Sequence, residues 1–112
     1  MSRDLSLYLN DILSSIAKIK RFTANMSQTE LTEDERTFDA VALNLQIIGE
    51  AVKNIPEDLR ETYPQIEWRK IAGLRDFIAH AYFMIDDEII WDVIQTKLQP
   101  LEKCVLLMKT NL

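Results

Sequence analysis

The sequence predicts an all-α fold, an up-and-down helical bundle, on three observations. Apolar residues recur at helical spacing along most of the chain. Gly occurs 2 times and Pro 3 times in 112 residues, whereas a sandwich or barrel needs a tight turn rich in Gly, Pro or Asn-Gly every ~8–12 residues. The hydrophobic fraction of 47% beside 28% charged residues belongs to a chain with a packed core, not to a disordered or fibrous one. At this length one core removes roughly two thirds of the unfolded surface from water, so residues 1–112 are read as a single domain.

Each element has its own signal. Leu5, Leu9, Ile12, Ile16 and Ile19 recur at steps of 4, 3, 4 and 3, with Tyr8 and Leu13 beside them, which predicts a first helix over 4–24. Two stretches then fit the capping box, a hydroxyl at the N-cap with Glu three residues on: Ser27-Gln28-Thr29-Glu30 and Thr32-Glu33-Asp34-Glu35. The second is read as the start of helix two, over 33–55. That segment carries Phe38, Val41, Ala42, Leu45, Ile48, Gly49, Val52 and Ile55 on one face, and Leu43, Ile47 and Ala51 on another. A helix apolar around most of its circumference belongs at the centre, and Gly49, which costs about 1 kcal/mol in a helix interior, marks the close approach of a neighbour. Glu50 is read as a hydrogen-bonding residue across the bundle rather than as a catalyst.

Pro56 stops helix two, and Pro56-Glu57-Asp58-Leu59-Arg60 reads as a short helical turn before Tyr63-Pro64. Trp68, Ile71, Leu74, Ile78 and Ala81 predict helix three over about 66–82. Asp86 or Asp87 caps helix four, whose stripe runs Ile90, Val93, Ile94, Leu98, Leu101, Val105 and Met108, with Pro100 expected to kink or interrupt it. Trp68 and Trp91 are read as core or interface residues.

Thirteen Lys and Arg against eighteen Asp and Glu give a net charge of −5. That excludes a general cationic coat for nucleic acid, which needs many exposed cations, but leaves room for a small cationic site. The single Cys104 forms no internal disulfide and is read as a small buried hydrophobe. One Cys and one His make no zinc-type cluster, so no metal and no other cofactor is expected. No stretch approaches the ~20 apolar residues of a bilayer span, and the expected setting is a reducing cytoplasm with no membrane.

The chemistry concentrates in Gly73-Leu74-Arg75-Asp76-Phe77-Ile78-Ala79-His80-Ala81-Tyr82-Phe83, which holds the only histidine. At about 100° per residue, Asp76 and His80 lie about 40° apart, so the carboxylate can accept from the imidazole and fix its tautomer. Arg75 and Tyr82 share a face to within about 20°, whereas Arg75 and His80 are about 140° apart. Those two converge only through the long Arg stem, a local distortion or a second chain. Cleaving RNA by attack of the 2′-OH needs a base, an acid and cations for the charge on the phosphorane. One His per chain does not readily fill both proton roles. A two-fold homodimer that brings two copies of His80 and of Arg75 into one cleft supplies base, acid and clamp, and the planar guanidinium can contact two phosphate oxygens at once. Arg69 and Lys70 add two positive charges as candidate RNA contacts.

This pattern resembles the HepT-like branch of the HEPN superfamily, marked by Arg-x4-His and extended here to Arg-x4-His-x-Tyr. The resemblance runs through nearly the whole chain. It is carried by Asp11-Ile12-Leu13, Asp39-Ala40-Val41, Asn44-Leu45, Ile47-Ile48-Gly49-Glu50-Ala51 and, above all, Trp68-Arg69-x-Ile71-x-Gly73-x-Arg75-Asp76-x3-His80-x-Tyr82-Phe83. It implies a dimeric, metal-independent endoribonuclease acting as the toxin of a two-gene toxin–antitoxin module. The implied partner is a small nucleotidyltransferase antitoxin that transfers AMP to the motif tyrosine. Carried onto this chain, Arg75 and His80 are the catalytic pair, Asp76 is the supporting polar residue and Tyr82 is the AMP acceptor. The adduct would set a bulky anion where an RNA phosphate sits. Leu43 departs from the pattern, since relatives often carry an arginine before the Asn-Leu pair. The alternative is a non-catalytic module of the same fold that binds a nucleotidyltransferase or a nucleotide, and a third reading makes the chain itself the antitoxin.

Overall fold

The first helix begins where the Asp4 carboxylate accepts a hydrogen bond from the Ser6 amide, and the periodic stripe becomes its buried face. In this computed structural model, which describes residues 4–84 and 86–112, and for residues 81–84 the backbone alone, α1 spans Leu5–Phe22. Leu9, Ile12, Ile16 and Ile19 are fully enclosed. The helix ends as Thr23 Oγ1 donates to the Ile19 carbonyl, and Asn25 reverses the chain at φ 64°, a left-handed conformation that Asn tolerates.

Both capping boxes are not used as read. The Ser27 box is complete, with the Glu30 amide donating to Ser27 Oγ at 3.1 Å and the Ser27 amide to Glu30 Oε1 at 3.0 Å. It opens a short helix of its own, α2 (Gln28–Glu33), which the periodicity did not indicate. The cap of α3 (Glu35–Lys53) is then Asp34, not Thr32: the Thr37 amide and hydroxyl both donate to the Asp34 carboxylate. Those two bonds hold the Asp34 carboxyl below the usual carboxylate range. Thr32 is drawn elsewhere, donating to the Gln28 carbonyl and to Asp87 Oδ2.

Helix α3 is central, packed against α1, α2, α5 and α6, with Val41, Leu45, Ile48 and Val52 buried. Its second apolar face is covered only in part. Ala51 is buried, but Leu43 is 57% and Ile47 37% exposed, so among the described residues this face of α3 is not enclosed by the bundle.

Pro56 leads into α4 (Glu57–Glu61), and the connector is tied down by buried Trp68, whose Nε1 donates to the Tyr63 carbonyl at 3.0 Å. The single helix expected over 66–82 is two. Gly73, with ψ near 0°, separates α5 (Trp68–Ala72) from α6 (Leu74–Met84). Asp86 caps α7 (Asp87–Asp92), accepting from the Ile89 amide. Val93–Lys97 then forms a π turn before α8 (Leu98–Thr110). The interruption assigned to Pro100 therefore falls just upstream of it. Pro100 has no N–H for the Thr96 carbonyl and its ring crowds that carbonyl, and a widened turn relieves both.

Helix α8 returns along α1 and completes the core with Leu101, Val105 and Met108. Cys104 is buried there and its thiol is pushed up to about 11 by desolvation, as fits an inert packing residue. Trp91 packs against the core's edge. Among the described residues there is no strand, and no helix is long and apolar enough to cross a membrane.

Candidate active site

The site begins with a missing side chain. A Cβ built on Gly49 would come within 3.1 Å of the Arg75 amide nitrogen, the Ile71 carbonyl oxygen and Leu74 Cβ. The backbone of α3 thus lies directly against the α5–α6 junction, and Gly73 lets the chain step there from one helix to the next. Leu74 and Ile78, four residues apart, are buried and seat α6 on the core. The other residues of its first two turns follow from that anchoring.

Arg75 emerges in the first turn of α6, on the flank that faces α3. Its Nη1 lies 3.4 Å from Glu50 Oε2, the partner across the bundle that the sequence left unassigned. The Arg75 side chain is 61% and the Glu50 side chain 54% exposed, so water competes for both ends of this long bond and the guanidinium is readily released to an anionic ligand. Asp76 and His80 lie on the crest of α6, both exposed. No hydrogen bond joins them among the described residues, which corrects the expectation that the carboxylate holds the imidazole. At about 40° separation on a solvated crest, water satisfies each group as well as the other would. Arg75 and His80, about 140° apart by helical spacing, are both exposed, and Arg75 is paired with Glu50 rather than with His80.

Tyr82 belongs to α6 by its backbone, and its side chain lies outside the described residues. Lys70 and Arg69, on α5, are exposed beside the N-terminal end of α6. Lys70 Nζ is engaged by Glu67 Oε2 at 2.7 Å, and the same carboxylate accepts from Lys97 at 2.9 Å. The two ammonium groups hold the Glu67 carboxyl down to about 2, and Lys97 is shifted upward by the same contact. Arg69 has no such partner among the described residues. No three His, Cys, Asp or Glu side chains among those residues stand close enough together to hold a metal ion.

One feature went unread in the sequence. Phe77 lies off the Leu74–Ile78 stripe and is 40% exposed, on the flank of α6 away from Arg75. An aromatic residue three positions past one core residue and one before the next was the available signal. There it lines a groove formed with α5, α7, the π turn and α8.

The family model described as "Ribonuclease HepT-like" matches residues 12–108. A Methanocaldococcus jannaschii protein named "Putative RNase" is 45% identical over 95 residues, 85% of this chain and 78% of its own length. A Thermococcus cleftensis protein named "Probable ribonuclease HepT" is 38% identical over 102 residues, covering 91% of this chain and 93% of that protein. A third relative, from Caldanaerobacter subterraneus and also named as an RNase of that standing, is 37% identical over 98 residues, 88% of each chain. No solved structure matches the chain at a significant level. With a helical bundle, an Arg-x4-His motif displayed on an exposed helix and this breadth of match, the chain belongs to the HepT-like ribonuclease family.

Proposed function

We propose that the chain is a metal-independent endoribonuclease and the toxin of a two-gene toxin–antitoxin module. One observation carries this reading: α6 displays an exposed guanidinium and an exposed imidazole, about 140° apart by helical spacing, and the guanidinium meets α3 at Glu50, which shares a helix face with the exposed Leu43 and Ile47. A second copy laid over Leu43 and Ile47 removes that apolar strip from water and sets two copies of Arg75 and His80 about one cleft.

In that cleft one His80 imidazole takes the proton of a ribose 2′-OH as its oxygen attacks the adjacent phosphorus. The bond from phosphorus to the 5′-oxygen breaks, and the His80 imidazolium of the second copy gives its proton to the leaving oxygen. The Arg75 guanidinium groups leave Glu50 for the non-bridging oxygens and offset the charge of the phosphorane. The products are a 2′,3′-cyclic phosphate and a 5′-hydroxyl. Asp76, next to Arg75 and one turn from His80, is the supporting polar residue at the rim of that cleft. A nucleotidyltransferase antitoxin then silences the site by transferring AMP from ATP to the Tyr82 phenol oxygen, the new O–P bond replacing the α–β phosphoanhydride as pyrophosphate leaves and the phenol gives up its proton, in the cytoplasm where the two proteins and RNA meet.

The test is cleavage of RNA in EDTA by the purified chain and by His80→Ala. Cleavage by the first alone, leaving 5′-hydroxyl ends, supports the enzyme. Cleavage by neither identifies a non-catalytic binding module, and cleavage that stops in EDTA overturns the mechanism. Leu43→Asp is expected to sediment as a monomer and to lose cleavage. Coexpression with the nucleotidyltransferase is expected to add AMP mass to the wild type and not to Tyr82→Phe.

A further inference from the structure

On the flank of α6 opposite Arg75 lies a groove of about 720 Å³, within the size range of pockets that enclose a small organic group. Leu74, Val93, Leu98 and Leu101 make a buried apolar floor, and the ring of Phe77 stands half open to solvent above it. The two rims carry opposite charge. Arg69 and Lys70 line the α5 side, and Glu88 and Asp92, one helical turn apart, line the α7 side. Glu67 engages both Lys70 and Lys97, so Arg69 is the cation of the α5 rim without a partner among the described residues.

These contacts match the parts of a nucleotide. An exposed aromatic ring over an apolar floor offers a stacking face, carboxylates accept hydrogen bonds from an exocyclic amino group, and an unpaired guanidinium suits a phosphate. A protein helix pressed into the same groove would bury Arg69, Glu88 and Asp92 and would have to pair each of them. Position also argues for RNA. Phe77 follows Asp76 directly and precedes His80 by three residues on α6, so a base in the groove and a phosphate on the crest are neighbouring parts of one strand crossing the helix.

Resting on the ribonuclease reading above, we infer that this groove is the base-binding subsite for a nucleotide next to the scissile phosphate, and that it favours bases bearing an amino group over uracil. Phe77 is then a specificity-determining residue, and Arg69 anchors the strand on the far side of the catalytic pair.

The experiment separates binding from cleavage. A fluorescent 2′-O-methyl oligonucleotide, which lacks the attacking hydroxyl, is titrated with wild type, Phe77→Ala, Arg69→Ala and Arg75→Ala, each checked by circular dichroism. Oligo-adenylate is expected to bind the wild type more tightly than oligo-uridylate. Phe77→Ala is expected to lose about tenfold in affinity for oligo-adenylate and most of the difference between the two. Arg69→Ala, an exposed change that disturbs no packing, is expected to weaken both oligonucleotides alike. Unchanged affinity and base preference in Phe77→Ala, with binding still reduced by Arg75→Ala, overturns the subsite and leaves the ribonuclease reading intact. A Phe77→Ala protein that sediments differently from wild type but binds oligo-adenylate equally assigns the groove to a protein contact and overturns the subsite as well. Failure of the wild type to bind either oligonucleotide removes the ribonuclease reading, and the subsite with it.

Discussion

Residues 5–53 and residues 66–97 draw on the same kind of amphipathic helix, yet they are built differently. The first region holds two long helices, α1 and α3, whose apolar stripes run unbroken and disappear into the core. The second is interrupted twice, at Gly73 and through the π turn Val93–Lys97. The proposed catalytic residues, Arg75 and His80, and the exposed walls of the groove, Arg69, Phe77, Glu88 and Asp92, all lie in that interrupted region, while the first region contributes Glu50 and the apolar strip of Leu43 and Ile47. Regular helices maximise burial, whereas the breaks lift Arg75 into a first turn, set His80 on a crest and open the groove beneath Phe77. Stability comes from the continuous half and function from the half that gives up continuity.

The contrast can be broken or sharpened by substitution. The largest expected effect is on the crest: His80→Ala should slow RNA cleavage by about 10²–10⁴-fold while leaving the urea midpoint within error, since the residue is exposed. A cleavage rate near wild type would remove His80 from the mechanism. Leu45→Ala, in the continuous half, should do the reverse. Burying no part of the site, it should cost about 2–5 kcal/mol in chemical unfolding with little change in cleavage per folded molecule.

Gly49→Ala joins the two regions. The added methyl gains about 1 kcal/mol of helix propensity but meets backbone atoms of Ile71 and Arg75 at 3.1 Å, so a net loss of about 1–2 kcal/mol is expected. Because the displaced element carries Arg75, cleavage should fall further than stability does. Equal losses in both would show that the α3–α6 contact matters only to the fold.

The smallest effect is a pH dependence. Asp87 on α7 accepts from Gln28 Nε2 at 3.2 Å and Thr32 Oγ1 at 2.9 Å on α2, and these bonds hold its carboxyl below the ordinary range. A carboxyl depressed in the folded state stabilises above its unfolded pKa and loses that contribution as pH falls through its folded value. Wild type should therefore lose more stability than Asp87→Asn between pH 6 and pH 3, measured as the shift of urea midpoint. A parallel fall in both would mean that the α2–α7 tie contributes nothing.

The interrupted half was also the harder to read. Steps of three and four along α1 and α3 predicted helices within a few residues of their ends, because burial on one face selects the apolar positions. The same periodicity passed across Gly73, since Trp68, Ile71, Leu74 and Ile78 stay in phase through a one-residue break. The choice of Asp34 over Thr32 as a cap depended on Asp87, 55 positions beyond Thr32, competing for the Thr32 hydroxyl. Glu50 was flagged as a hydrogen-bonding residue, but its partner Arg75 is 25 residues away and is set by helix packing. Phe77 was passed over because a lone aromatic off the stripe becomes a groove wall only when α7 and α8 are laid beside it.

By itself the sequence determined which surfaces of each helix are apolar, where Pro and Gly weaken the helical ladder, and that Arg75 and His80 cannot meet on one face. Those are properties of covalent geometry and transfer free energy, which act over a few residues. Only the tertiary structure decided that α6 seats on Gly49, that Arg75 pairs with Glu50, that Leu43 and Ile47 stay uncovered and that a groove lies beneath Phe77. Each of those depends on which helices become neighbours, and that is settled by closing a shared core across distant parts of the chain.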